Sequence, residues 1–302
     1  GGMVALELVR RSLTAMMHRL GRRIIVFAVL AVVVGLFGMG LHTSQETRLL
    51  LQGEGADFST GVDVVQSRIG LLVFGLNAFL VVLDAMTVPD FVRDRSIVDH
   101  EVGNEYYYTV LYHMASTIST LCHTTLLALL ITSVFGLFGL ISHSLWEYFR
   151  IMLLTLFCGE STGMLVSHIL GDASLALPVL LMIHGLSILL QGSVVLPSLL
   201  TKGLQSLTNL PFQTHSFHLL IIYEFNLRPA AVPQQHIILD RYNIHALESN
   251  WCLVYFALGI HFVSLVVLLC QYISFKKSKL VQPQQCKQER VQNKNQVELE
   301  LI

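Results

Sequence analysis

Eighteen consecutive residues without a charge, Ile24–Leu41 (IIVFAVLAVVVGLFGMGL), set the first limit on what this chain can become. At 1.5 Å of rise per residue a helix of that length reaches about 27 Å, close to the ~30 Å hydrocarbon thickness of a bilayer. Inside hydrocarbon every backbone N–H and C=O has to be satisfied within the segment, and a helix does that. Five further blocks share the pattern: Ile69–Val88, interrupted by Asn77 and Asp84, then Val110–Ile141, Phe149–Leu170, Leu175–Leu200 and Trp251–Phe275. Only GDAS (Gly171–Ser174) separates the fourth from the fifth, a helix stop followed by an N-cap, so a tight helical hairpin is expected. Charged residues make up 13% of the chain, about half the ~25% of a soluble domain. An all-α protein of six transmembrane helices is the expected fold class.

Basic residues orient the spans. Arg10, Arg11, Arg19, Arg22 and Arg23 precede the first span, and Lys276, Lys277 and Lys279 follow the last. Both termini are therefore expected in the cytosol of a multi-pass integral membrane protein, as an even span count requires. Arg93 and Arg95 fall in the expected cytosolic loop between the second and third spans, and the large loops His42–Arg68 and Thr201–Asn250 are expected outside. The start does not read as a cleavable signal, because the apolar run behind the arginines is too long. LELVRRSLTAMMHRLGRR (Leu6–Arg23) sets Leu6, Val9, Leu13, Met16, Met17 and Leu20 opposite its arginines. An amphipathic helix along the inner interface is expected, with a plain extension of the first span as the alternative. The organisation predicted is a connecting helix over 1–23, a six-span domain over 24–275, and a Gln/Asn/Lys-rich disordered cytosolic tail over 276–302.

Motifs of several enzyme classes are missing. There is no GxxxxGK[ST], His100-Glu101 has no second histidine at the spacing of HExxH, and no GxSxG occurs. No catalytic residue and no metal site is predicted. His113, His123, His168, His184 and His261 are scattered over separate spans without ligand spacing, which suits helix–helix hydrogen bonding. The five cysteines form no CxxC pair and read as free thiols. A net charge of −1 gives no pointer to nucleic acid.

RSIVDHEVGNEYYYTVLYHMASTISTL (Arg95–Leu121) resembles the first intracellular loop and third span of G-subfamily (white/PDR-like) ABC transporters. QSRIGLLVFGLNAFLVVLDAM resembles that family's second span, and GESTGMLVSHILGDASLALPVLLMIHGLSILLQGSVV its fourth and fifth. The resemblance covers about residues 6–275 and implies an ABC-2 type exporter membrane domain. Such a domain moves lipid-like or amphipathic compounds as a homo- or heterodimer in the membrane lipid. ATP and Mg²⁺ would bind an ATPase domain this sequence does not contain, supplied in cis or in trans, so the chain is expected to be a fragment or a stand-alone half.

The resemblance also assigns roles. Asp99, Glu101 and Glu105 would couple to the ATPase domain, with Glu101 and Glu105 at i, i+4 on one helical face. Tyr106–Tyr108 would sit at headgroup level. The substrate cavity between second and fifth spans of both copies would use Asn77, Val81, Gly185 and Ile188. Ser193 and Val194 would stand at the outer valve, and Leu210–Phe225 would form a re-entrant lid. Two alternatives remain open: a non-transporting scaffold or regulatory half, and a proton-coupled secondary carrier, which would show pseudo-symmetric repeats.

Two intramembrane carboxylates need partners. A carboxylate at mid-membrane costs at least ~2.5 kcal/mol, so Glu160 is expected to be paired or protonated, with His168 two turns on or His184 across the hairpin as its partner. Glu160 and His168 are the predicted polar relay. Asp84 is expected within a turn of the cytosolic end, reaching the interface.

Overall fold

The computed structural model describes residues 2–40, 58–103, 106–141, 144–195, 200–224 and 251–273. These form helices α1 (Gly2–Gly40), α2 (Phe58–Gly103), α3 (Thr109–Leu137), α4 (Leu145–Leu170), α5 (Ala173–Leu190), α6 (Lys202–Leu207), α7 (Phe212–Glu224) and α8 (Trp251–Ile273), with no strand among the described residues. Six of them, α1 to α5 and α8, are long and apolar enough to cross a membrane. The tail 276–302, Glu105, the side chain of Asp99 and much of both expected outer loops lie outside the described residues.

Paired side chains fix how the helices run. Arg11 meets Glu101 and Arg23 meets Asp90, so α1 and α2 are antiparallel. Leu80 lies against Gly159 and Arg95 reaches the carbonyl of His168, so α2 and α4 are parallel. His123 meets Glu160 and Ser116 meets Met164, which sets α3 antiparallel to α4. The start of α1, the end of α2, the start of α3 and the α4–α5 turn therefore share one end of the bundle. α8 follows α4 in parallel through Cys158 to Leu253 and His168 to Ser264.

The core lies where α1 to α4 meet. Phe27 stacks on Phe79 with ring centroids 5.8 Å apart, and Phe79 and Tyr148 each lie 5.9 Å from Phe135. Lipid tails are as apolar as these side chains, so close packing rather than water exclusion holds such helices together. Gly159 and Gly163, one turn apart, provide that closeness: a Cβ on Gly159 would stand 2.5 Å from Leu80 Cδ2, and one on Gly163 would stand 3.4 Å from Asp84 Oδ1.

Helix ends follow the local chemistry. Ser144 caps α4 by accepting from the Glu147 N–H, satisfying one of the free donors of the first turn. The expected hairpin is present: Gly171 ends α4 at φ 67°, and Asp172 caps α5 by accepting the Ser174 N–H. The Ser174 backbone and hydroxyl donors hold the Asp172 carboxyl below the usual range.

Three boundaries differ from expectation. Residues 6–23 form no separate interfacial helix but the opening turns of the unbroken α1. α2 does not stop at Val88; it continues past Pro89 to Gly103, 46 residues or about 69 Å, more than twice the ~30 Å hydrocarbon thickness. The expected loop with Arg93 and Arg95 is thus helical, because Asp90, Asp94 and Glu101 share one face and pair with arginines of α1. α5 ends at Leu190 rather than Leu200, where Gly192 turns the chain at φ 91° and Gln191 donates to Ser193.

Candidate functional site

α1, α2 and α3 enclose a cleft of about 190 Å³ that runs from Arg11, Glu101 and Tyr107 at its mouth to His123 and Glu160 at its floor. Helical geometry builds its walls. Asp90, Asp94 and Glu101 are spaced i, i+4, i+11, which returns each to nearly the same side of a 3.6-residue helix. On α1 the matching positions are Arg11, Arg19 and Arg23.

The pairs form a ladder. At the mouth, Arg11 Nη1 donates to Glu101 Oε1 at 2.6 Å and the Tyr107 hydroxyl donates to Oε2 at 2.7 Å. Burial, reinforced by the Glu101 carboxylate, pushes the Tyr107 phenol above the ordinary tyrosine range. Arg19 then grips Asp94 with both terminal nitrogens, at 3.1 and 2.9 Å. Deeper, Arg23 Nη2 donates to Asp90 Oδ2 at 2.7 Å while its Nη1 lies 3.0 Å from His123 Nε2. A guanidinium can only donate, so that imidazole nitrogen accepts and the proton sits on Nδ1. Nδ1 in turn lies 2.9 Å from Glu160 Oε2. Glu160 Oε1 is 4.0 Å from Arg23.

This geometry corrects the predicted relay. Glu160 faces His123 and Arg23, not His168. Eight positions along α4 carry His168 about 12 Å further on, where its Nδ1 lies 2.9 Å from the Ser264 hydroxyl of α8. His184 serves another carboxylate: its Nε2 lies 2.5 Å from Asp84 Oδ2, and Gln213 of α7 lies 2.5 Å from its Nδ1. Asp84 is fully buried, facing Gly163 of α4 and His184 of α5, and does not reach an interface, because the helix continues nineteen positions beyond it.

The remaining predicted residues scatter. Asn77 is buried and spends its Nδ2 on the Val73 carbonyl of its own helix at 2.8 Å. Val81 is half-buried, Ile188 likewise, and Gly185 is exposed with open space where a Cβ would stand. Neither helix pair encloses these four in the cleft described above. Ser193 accepts from Gln191, and Val194 is exposed. Glu101, expected to face a partner, is taken up by Arg11 and Tyr107, whereas Tyr106 and Tyr108 are exposed. The expected re-entrant lid is α7, which packs on α4 and α5 and is anchored there through Ser216–Thr155 and Gln213–His184.

Sequence reasoning missed Asp90, Asp94, Arg19 and Arg23. The signal was present as two matching sets of charges at helical spacing, hidden by reading Arg93–Asp94–Arg95 as a loop.

At the end of the bundle that holds the mouth, Arg95 Nη1 donates to the carbonyl of His168 at 2.7 Å, and Gln271 of α8 donates to the same oxygen at 2.6 Å. α2, α4 and α8 are joined there. A Cβ on Gly171 would stand 2.7 Å from Arg95 Nη1 and displace the guanidinium, and the φ of 67° there favours glycine. What the arrangement can do is mechanical: a rod longer than the bilayer, braced on α1 and clamped to the α4–α5 turn.

Residues 6–225 match the family model described as ABC-2 type transporter. A comparison with curated proteins finds no match.

Proposed function

The chain belongs to the ABC-2 type transporter family, and from that membership we propose that it is the membrane-spanning half of an ATP-driven G-type exporter of lipid-like or amphipathic compounds. It works as a dimer, with ATP and Mg²⁺ bound on ATPase domains carried in cis or in trans. The end of the bundle that gathers the α1 start, the α2–α3 junction and the α4–α5 turn faces the cytosol, in keeping with its arginines.

One observation carries the reading: α2 is a single helix from within the core to Gly103, held against α1 by three ion pairs and to α4 by Arg95. A push at its end reaches the core without a hinge loop. Tyr106 and Tyr108, 67% and 80% exposed beside that end, form the handle an ATPase domain grips. Glu101 braces the handle from within.

The dimer reading rests on α5. Only about a fifth of it is buried, and Leu181, Met182, Gly185, Leu186 and Leu189 are exposed along it. A second copy facing that helix would enclose Gly185 and Ile188 in a cavity suited to apolar cargo. Ser193 and Val194 at its outer end form the valve.

Reconstitution tests the reading. The chain, joined with its ATPase partner in liposomes, is expected to move a fluorescent phospholipid or amphipathic dye only with hydrolysable ATP. Transport that persists with a non-hydrolysable analogue would remove it. A scaffold without transport would associate with the partner yet move nothing.

A further inference from the structure

The cleft between α1, α2 and α3 does more than pair charges. We propose that it is a water-filled inlet, a solvent-binding site that brings water and exchangeable protons from the end holding the α1 start to the carboxyl group of Glu160. The inference stands on the geometry of one chain and does not depend on ATPase coupling.

Volume is the first argument. A water takes up about 30 Å³ in the liquid, so about 190 Å³ accommodates on the order of six. Polarity is the second. Ser12, Ser116, Ser119 and Thr120 line the cleft between its charged walls. Two of these hydroxyls have poor partners within the chain: Ser116 reaches only the Met164 sulfur at 3.7 Å, and Ser119 the Ser12 carbonyl at 3.5 Å. Thioether sulfur is a weak acceptor and 3.5 Å is the long limit of a hydrogen bond, so water in the cleft is their better partner.

Charge is the third. At the floor Arg23 is set between two carboxylates, Asp90 at 2.7 Å and Glu160 at 4.0 Å. His123 faces Glu160 from α3, Asp84 lies within electrostatic reach on α2, and His184 stands behind Asp84 on α5. Charges this deep are tolerated in membranes where water penetrates to them. The partly exposed Asp94 and the half-exposed Arg11 keep the path to the surface polar.

Thiol accessibility tests the inlet in the full chain in oriented membrane vesicles. Ala15→Cys, Ser116→Cys and Ser119→Cys place thiols on its walls. Ala31→Cys and Ala128→Cys, at fully buried core positions, serve as controls. A charged, membrane-impermeant methanethiosulfonate is applied from either side, and modified peptides are mapped by mass spectrometry. The reagent attacks only thiolate, which forms in water and not in apolar packing, so wall thiols are expected to react about 100-fold faster than core thiols. They should react only from the side that holds the α1 start. Wall rates equal to core rates, or labelling from the opposite side, would overturn the inlet.

Radiolytic hydroxyl-radical labelling of the unaltered chain is the second readout and needs no substitution. Phe91 and Tyr112, which line the cleft, are expected to oxidise while the buried Phe27 and Phe79 do not. Equal protection of all four would contradict the proposal. A failed transport assay would leave both readouts intact, so the inlet and the transporter reading fail separately.

Discussion

Arg11 Nη1 lies 2.6 Å from Glu101 Oε1, so the opening turns of α1 are tied to the closing turns of α2 across ninety residues of sequence. Arg11 is about half exposed, and a pair of that kind contributes only ~0–1 kcal/mol. Glu101→Gln is therefore expected to lower thermal stability slightly in low salt. The difference should shrink at 1 M NaCl, where the screening length falls to about 3 Å. A salt-independent loss would assign Glu101 a different role.

Arg23 is a larger matter because it is buried and serves Asp90 directly. Arg23→Ala would leave Asp90 with only its longer contacts to Arg19 at 3.5 Å and Arg93 at 3.7 Å, so the expected cost is below the about 3–5 kcal/mol of a buried charge left wholly unpaired. Adding Asp90→Asn to Arg23→Ala should recover a good part of that loss. Chemical denaturation of the two variants in detergent checks this, and equal stability for both would contradict the ladder.

The joint between α2 and the α4–α5 turn predicts that alanine at Gly171 is destabilising. Gly171→Ala meets both a left-handed φ of 67° and Arg95 Nη1 at 2.7 Å. The backbone term alone is about 1–2 kcal/mol. Truncating the arginine together with Gly171→Ala should remove the steric part but not the backbone part, which calorimetry on the single and double variants separates.

Tyr107 predicts a pH dependence. Burial and the hydrogen bond to Glu101 raise its phenol above the ordinary range. A raised folded value means its contribution is complete below the unfolded pKa of about 10 and fades as the pH climbs through the folded one. The phenolate absorbance missing from Tyr107→Phe is expected to emerge only above pH 10. Its appearance near pH 9 would mean that Tyr107 is open to water.

Much of this architecture could be read from local sequence. Charge-free runs announce spans by their length alone, and the Gly171–Asp172 pair announces the hairpin because left-handed stop and N-cap are each set by one residue. Partners chosen over long separations could not be read. Glu160 takes His123, thirty-seven positions away on another helix, rather than His168 on its own, because i, i+8 neighbours on a helix stand too far apart to touch. The reach of α2 was misjudged for a related reason: charges that signal a loop in isolation become helix-compatible when a second helix neutralises them. Gly185 and Ile188, expected at a cavity, lie on a helix that one chain leaves largely uncovered, so no contact within the chain tests that expectation.

Site-directed photocrosslinking addresses the central claim. A photoreactive phenylalanine analogue in place of Tyr108, in native membranes, is expected to form an adduct with an ATP-binding domain, whether on the same polypeptide or another. The same group in place of Met182 on α5 should label membrane lipid or a second copy instead. Adducts from position 108 that contain only lipid or the outer-side loops would contradict the account.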